Sequence, residues 1–267
     1  MSTALSITLD ELMGAHPNIK MERIDFTIDE VYRVATFLFY DESIANGSKG
    51  TVIGVHGGPA FCHNYILPLK LLVNYGYRVI LYDQCGCGLS SNVNDVREHA
   101  PHLLTIEYYC RELNALISHY GLEDFHLYGS SWGTMVIQEF AVMDSSERSG
   151  HLLSIMLDGA LCDSHLYIHT QWRDRISTLP TCTQSLLRRL TDEGDFRSEL
   201  YKLFDDTMSC MFMCRTIPKP EAYYESVRGA NMEIYEAMQG ASEFTTGGVL
   251  KGQPANIYRM WTRPYSL

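Results

Sequence analysis

The chain has 267 residues, 46% of them hydrophobic and 20% charged, with a formal net charge of −11. That length and apolar content suffice for one packed core with an inserted subdomain and exclude a disordered protein. The acidic balance, with no run of lysine and arginine, opposes a phosphate backbone or an anionic membrane surface, so nucleic acid is excluded as a partner.

At the N-terminus, Met1 to Leu5 followed by Asp10 and Glu11 lacks the basic start and apolar core of a secretory signal. No stretch approaches the roughly 18 uninterrupted apolar residues of a membrane span, so a cytoplasmic protein without membrane contact is expected. Met21 to Ile28 and Val31 to Tyr40 alternate apolar and polar residues and predict two strands with a turn at Asp29-Glu30. Asn46 to Gly50 is a loop. Thr51 to Val55 and Arg78 to Tyr82 are short continuous apolar runs of the kind buried on both faces of a parallel sheet. A helix over Ile66 to Tyr75, stopped by Gly76, joins them into a βαβ unit. The next helix, Thr105 to Tyr120, sets Ile106, Tyr109, Cys110, Leu113, Ile117 and Tyr120 on one face, with Thr105 as N-cap and Gly121 as stop. Phe125 to Tyr128 and Leu152 to Leu157 are two further buried strands. Strands alternating with helices in this way specify a doubly wound, mostly parallel α/β sheet, with its ligand site at the carboxyl ends of the strands.

From about Leu161 the pattern turns helical, with Trp172, Tyr201, Phe204, Met208, Met211 to Met213, Tyr223, Tyr224 and Tyr235 scattered through it. Taken singly these side chains read as helix packing; taken together they predict a helical lid that shapes a pocket and excludes water. The expected division is a core over residues 1–160, a lid over 161–240 and an atypical return over 241–267. The eight cysteines read as reduced thiols. Neither Cys85-Gly86-Cys87 nor the pair Cys210 and Cys214 has metal-site spacing, so no metal or other cofactor is expected. Tyr265-Ser266-Leu267 lacks the basic residue of a peroxisomal address.

The chemistry gathers at the strand ends. Gly129-Ser130-Ser131-Trp132-Gly133 lies between a strand and the helical run Thr134 to Ile137, a strand–turn–helix with Ser131 at its apex. Such a turn holds its central residue in a strained conformation that lifts the hydroxyl above the sheet and aims the Trp132 N–H at an oxyanion formed there. His56-Gly57-Gly58-Pro59 follows the strand ending at Val55, and its glycines let Gly58 N–H supply a second oxyanion donor. His56 itself reads as structural, because a catalytic base follows the nucleophile in this chain order.

Three blocks in order, His56 to Pro59, Tyr82-Asp83-Gln84 with Gly86 to Gly88 and Ser90, and Gly129 to Gly133, resemble those of the proline iminopeptidases, serine aminopeptidases of the α/β-hydrolase fold. The resemblance implies release of an N-terminal proline or similar residue from a small peptide or amide, through an acyl-enzyme on Ser131. It continues into Gly240 to Phe244, similar to a family block whose glutamate helps hold the substrate's free amino terminus, which implies Glu243 as an amine anchor. Ala60 and Cys85 depart from the family pattern at tolerable positions. A larger departure concerns the acid and histidine that the fold places after later strands, for which each βα unit needs roughly 25 to 30 residues. Only 24 residues follow Glu243, and the last histidine is His169, inside the lid. Asp158, at the end of the strand after the elbow, is a substitute acid, and His165 or His169 a substitute base reaching from the lid. Three readings stand: a peptidase of this type, a hydrolase of another small amide or ester in specialised metabolism, and a truncated, inactive remnant missing its C-terminal strands. The last predicts an exposed strand edge and apolar face.

Overall fold

The computed structural model describes residues 18–43, 49–143, 146, 148–245 and 247–251. The loop expected at Asn46 to Ser48 and the tail from Gly252 onward lie outside the described residues. Six strands form one sheet in the order β1-β4-β6-β5-β7-β8: β1 is Lys20–Arg23, β4 Thr36–Tyr40, β5 Thr51–Val55, β6 Arg78–Tyr82, β7 Asp124–Ser130 and β8 His151–Asp158. The pairs β6–β5, β5–β7 and β7–β8 are parallel, and β4 and β1 extend the sheet antiparallel beyond β6. The chain leaves β5 for β6 on one side and later returns to β7 on the other. The carboxyl end of β5 is thus a topological switch point, where a crevice opens between the two crossovers.

Each of the two strands expected before residue 40 is split. β2 (Phe26–Ile28) and β3 (Tyr32–Val34) form a separate hairpin. Its turn holds Asp29 and Glu30 at φ of 54° and 59°, the left-handed pair a tight hairpin requires. The segment before β6 begins earlier than expected, at His63, and is a 3-10 helix to Tyr75; Pro68 inside it has no N–H to offer a regular α-helix. Helix α1 (Ile106–His119) starts as expected, with Thr105 Oγ1 accepting from Tyr108 N at 3.3 Å. α2 (Trp132–Val142) packs on β5, β7 and β8. The helices that follow β8 include α3 (Ser164–Thr170), α4 (Thr181–Asp192), α5 (Glu199–Met208), α6 (Glu221–Arg228) and α7 (Met232–Met238). They carry a small core of their own, with Ile176, Leu187, Tyr201 and Phe204 buried together.

One expectation is overturned at β8. Its apolar run forms a strand, yet the strand is not buried: Leu153 is 54% and Leu157 43% exposed. Among the described residues only β7 flanks it, so one side of its backbone and much of its apolar face are open.

A buried carboxyl lies under the sheet's active end. Glu112 on α1 is fully buried, and its Oε2 accepts from Cys85 N at 2.7 Å. Burial pushes the Glu112 carboxyl up to about 8, the Cys85 N–H opposing it only in part. The unfolded chain ionises this group near its ordinary 4.5, while the native state keeps the proton until about pH 8. The contribution of Glu112 to stability is therefore greatest below pH 4.5 and falls by up to about 1.4 kcal/mol per pH unit until pH 8 is reached. Glu112→Gln keeps an acceptor for Cys85 and removes the titration. Urea unfolding is expected to show equal stabilities near pH 4.5 and a more stable variant near pH 8.

Candidate active site

Three loops meet at the switch point, and one buried network ties them. His56 Nδ1 donates to Gly57 O at 2.8 Å, which leaves Nε2 to accept from Gln84 N at 3.0 Å. Gln84 returns its Nε2 to His56 O at 2.8 Å and accepts the Trp132 indole N–H on Oε1 at 3.0 Å. The loops after β5, β6 and β7 are thereby fixed to one another. His56 is wholly buried, and burial depresses its imidazole to about 4, so it is a neutral strut. Asp83 is also buried; its carboxylate accepts from His63 N, His63 Nδ1 and Leu89 N at 2.8–2.9 Å. Those bonds outweigh the desolvation that opposes them and hold the Asp83 carboxyl below its usual range.

Ser131 stands at the apex between β7 and α2 with φ 51° and ψ −120°, a conformation that costs on the order of 1–3 kcal/mol and persists only where the surroundings enforce it. The enforcement is visible: Ser131 N donates to the Asp158 carbonyl at 2.9 Å, and Thr134 Oγ1 and N both donate to Ser131 O. Ser131 is exposed and lines a cavity of about 480 Å³. Gly58 lines the same cavity at φ 126°; a Cβ there would stand 2.7 Å from the backbone nitrogens of Ala60 and Phe61. Trp132 N–H is the first of α2, and among the described residues neither it nor Gly58 N–H has an acceptor.

The other expected site residues distribute as follows. Asp158 lines the cavity, and its Oδ2 accepts from Tyr128 OH at 2.6 Å. Glu243 lines the same cavity, where Tyr167 OH donates to Oε2 at 2.7 Å and Tyr235 OH donates to Oε1. His165 and His169 do not reach Ser131. They line a separate groove with Trp172 and Arg188, and no histidine lines the cavity among the described residues. The idea of a base reaching from the lid fails because both imidazoles lie on the wrong side of their helix.

Several cavity residues carry no sequence signal. Tyr65 OH accepts from Gly57 N at 2.5 Å, and burial pushes its phenol up to about 12. Asp205 is solvent-exposed and opens onto the cavity; partial loss of hydration there and then the Glu243 and Asp206 charges push its carboxyl up to about 6. With Asp158, Asp205 and Glu243 on its wall and Arg175 as the lining's basic residue, the cavity is net acidic. Its remaining wall is largely apolar, with Phe61, Met208 and Phe212. Among the described residues no group of three potential metal ligands and no helix long and apolar enough to cross a membrane is found.

The model of the α/β-hydrolase fold matches residues 50–191. The proline iminopeptidase of Clostridium botulinum is 30% identical over 206 residues, which are 77% of this chain and 67% of that protein. That of Saccharolobus solfataricus is 27% identical over 237 residues, 87% of this chain and 73% of that protein. The crystal structure of the proline iminopeptidase of Mycobacterium smegmatis superposes with a TM-score of 0.75 at 26% identity, covering 87% of this chain and 76% of that one. The chain spans about two thirds to three quarters of these proteins. With the strand–turn–helix at Ser131 and the sheet order that places it, these likenesses mean that the chain belongs to the α/β-hydrolase family, in its proline iminopeptidase branch.

Proposed function

We propose that this chain is a serine hydrolase that takes small peptides or amides by their free N-terminal residue, proline or a similar one, and acylates Ser131. The observation that carries the reading is one cavity lined by both Ser131 and the tyrosine-held Glu243 carboxylate. In this reading Gly58 and Trp132 N–H groups receive the carbonyl oxygen, worth a few kcal/mol of transition-state stabilisation per donor. Two tyrosine hydroxyls fix the Glu243 carboxylate toward the substrate's ammonium, and helices between residues 161 and 240 act as the lid. An N-terminal prolyl residue carries a compact cation, which suits an acidic wall set in apolar surroundings.

The test is turnover of a prolyl arylamide against a short ester, with and without Ser131→Ala. Loss of both activities in the variant supports the reading; turnover that survives Ser131→Ala ends it. Glu243→Gln should raise KM for the prolyl arylamide about tenfold or more, with a smaller effect on the ester, because the half-buried carboxylate that pairs with the ammonium is lost. Asp205 adds a pH dependence. Its carboxyl becomes negative as pH rises through about 6, so KM for a cationic substrate should fall across that range and cease to do so in Asp205→Asn. Equal profiles in the two proteins would remove Asp205 from amine binding.

A second reading, a peptide-binding protein with little turnover, is favoured by a separate observation: no imidazole is hydrogen-bonded to Ser131 among the described residues. A serine without a base retains only the rate supplied by binding and the oxyanion donors.

A further inference from the structure

Arg175 lines the cavity with a guanidinium that, among the described residues, makes neither a hydrogen bond nor an ion pair. Its guanidinium stands over the Phe212 ring, with the guanidinium carbon 5.9 Å from the ring centre, a cation–π contact that supplies no anion. The carboxylate beside it in sequence, Asp174, is already taken by Arg173 at 2.6 Å. A partly buried cation without an anion is an unfilled requirement, and a guanidinium meets it best with a carboxylate held by two parallel hydrogen bonds.

Two hydroxyls share this wall. Lys219 Nζ donates to Ser209 Oγ at 2.7 Å and to Tyr223 OH at 3.2 Å, and stands 4.4 Å from the Tyr223 ring centre. An ammonium has protons and no lone pair, so each oxygen accepts from Lys219 and must direct its own proton elsewhere. The two oxygens are 3.5 Å apart, at the limit of a mutual hydrogen bond. Ser209 and Tyr223 both line the cavity, and Ser209 shares the helical segment Ser209–Met213 with Phe212, the ring against Arg175. Lys219 thus occupies a lone pair on each hydroxyl, and even when one hydroxyl donates to the other, at least one proton stays available to an acceptor inside the cavity.

The spacing sets a length. Tyr167, Gln171 and Arg175 line the cavity at four-residue intervals from one helical run, α3 and the segment Gln171–Arg175 that continues it. Tyr167 holds Glu243. Arg175 lies eight residues further on, about two turns along that run; because Gln171–Arg175 is π-helical, the axial separation is less than the roughly 12 Å of a regular α-helix. An extended chain of three residues spans about 10–11 Å. We propose that Arg175, with the Ser209 and Tyr223 hydroxyls, receives the C-terminal carboxylate of a short peptide whose amino end lies at Glu243. The preferred substrates are then peptides of about three residues with both ends free. This subsite rests on the amine-anchor reading given above.

Binding without chemistry separates the two claims. The full chain carrying Ser131→Ala is titrated calorimetrically with Pro-Gly-Gly and with the C-terminal amide of the same peptide. The free acid should bind about tenfold tighter than the amide, in line with a charge-assisted bidentate pair. That preference should fall to about one in Arg175→Met, whose side chain still covers Phe212, and be reduced in Tyr223→Phe. Circular dichroism of each variant confirms that it is folded. Equal binding of acid and amide overturns the carboxylate subsite and leaves the amine anchor standing. An acid preference that survives Arg175→Met also overturns it. Failure of both peptides to bind overturns the peptidase reading itself.

Discussion

Gly133→Ala is expected to destabilise the protein by about 3 kcal/mol or more, a large share of the stability of an ordinary domain. A Cβ at this position would stand 2.2 Å from the Val55 carbonyl oxygen and 2.9 Å from that of His56. Both are backbone atoms at the end of a fully buried central strand, so neither can rotate away. Relief requires α2 to lift off β5, and that movement would carry the Trp132 N–H and the Ser131 apex out of place. Gly121 provides the control. It has a left-handed φ of 57° but nothing within 4 Å of an added Cβ, so Gly121→Ala should cost only the backbone term of about 1–2 kcal/mol. Urea midpoints compare the two variants directly. Equal, small losses would mean that the strand and helix approach each other less closely than these contacts require.

The contrast between these two glycines also explains what could be read from the sequence. The elbow at Ser131 was legible because it is a local demand of the backbone: a strand, a sharp turn and a helix that touch need small residues at fixed offsets. The same holds for the loop at Gly58 and for the N-cap at Thr105. The alternation of strands and helices then placed all three motif loops at one end of the sheet. The setting of Glu243 was not legible in this way. One of its tyrosine partners, Tyr167, is 76 residues distant in sequence, and an aromatic at helical spacing looks the same whether it packs or presents a hydroxyl. Asp205 and Arg175 are ordinary charges on helices until the cavity gathers them. Glu112 falls on the apolar stripe of α1, four residues after the buried Tyr108, where only its charge argued for solvent. β8 shows the converse limit. An apolar run specifies a strand, but the number of neighbours covering it is a property of the whole sheet.

Fluorophosphonate labelling of the full chain is expected at Ser131, slowly, and at a rate that climbs about tenfold per pH unit from pH 6 to 8. A serine hydroxyl reacts readily only when a base takes its proton, and the imidazoles near this site are committed elsewhere. His56 uses both ring nitrogens within the loop network, and His63 Nδ1 is held at 2.8 Å from Asp83. His165 and His169 line a different groove. The labelling rate should then follow hydroxide, whereas a serine served by an imidazole levels off above about pH 6.5. Prolyl arylamide turnover should lie several orders of magnitude below that of a serine with a full triad, at the level that oxyanion donors and substrate binding sustain by themselves, roughly 10³–10⁴ over the uncatalysed reaction. Ser131→Ala should abolish labelling while leaving peptide affinity largely intact, since the Glu243 carboxylate and the tyrosine hydroxyls that hold it make no hydrogen bond to Ser131 among the described residues. A labelling profile that levels near pH 6.5 would overturn this expectation: a histidine would then have to reach Ser131, and the acidic Asp158 beside it, now bonded to Tyr128, would become the natural candidate to orient that imidazole.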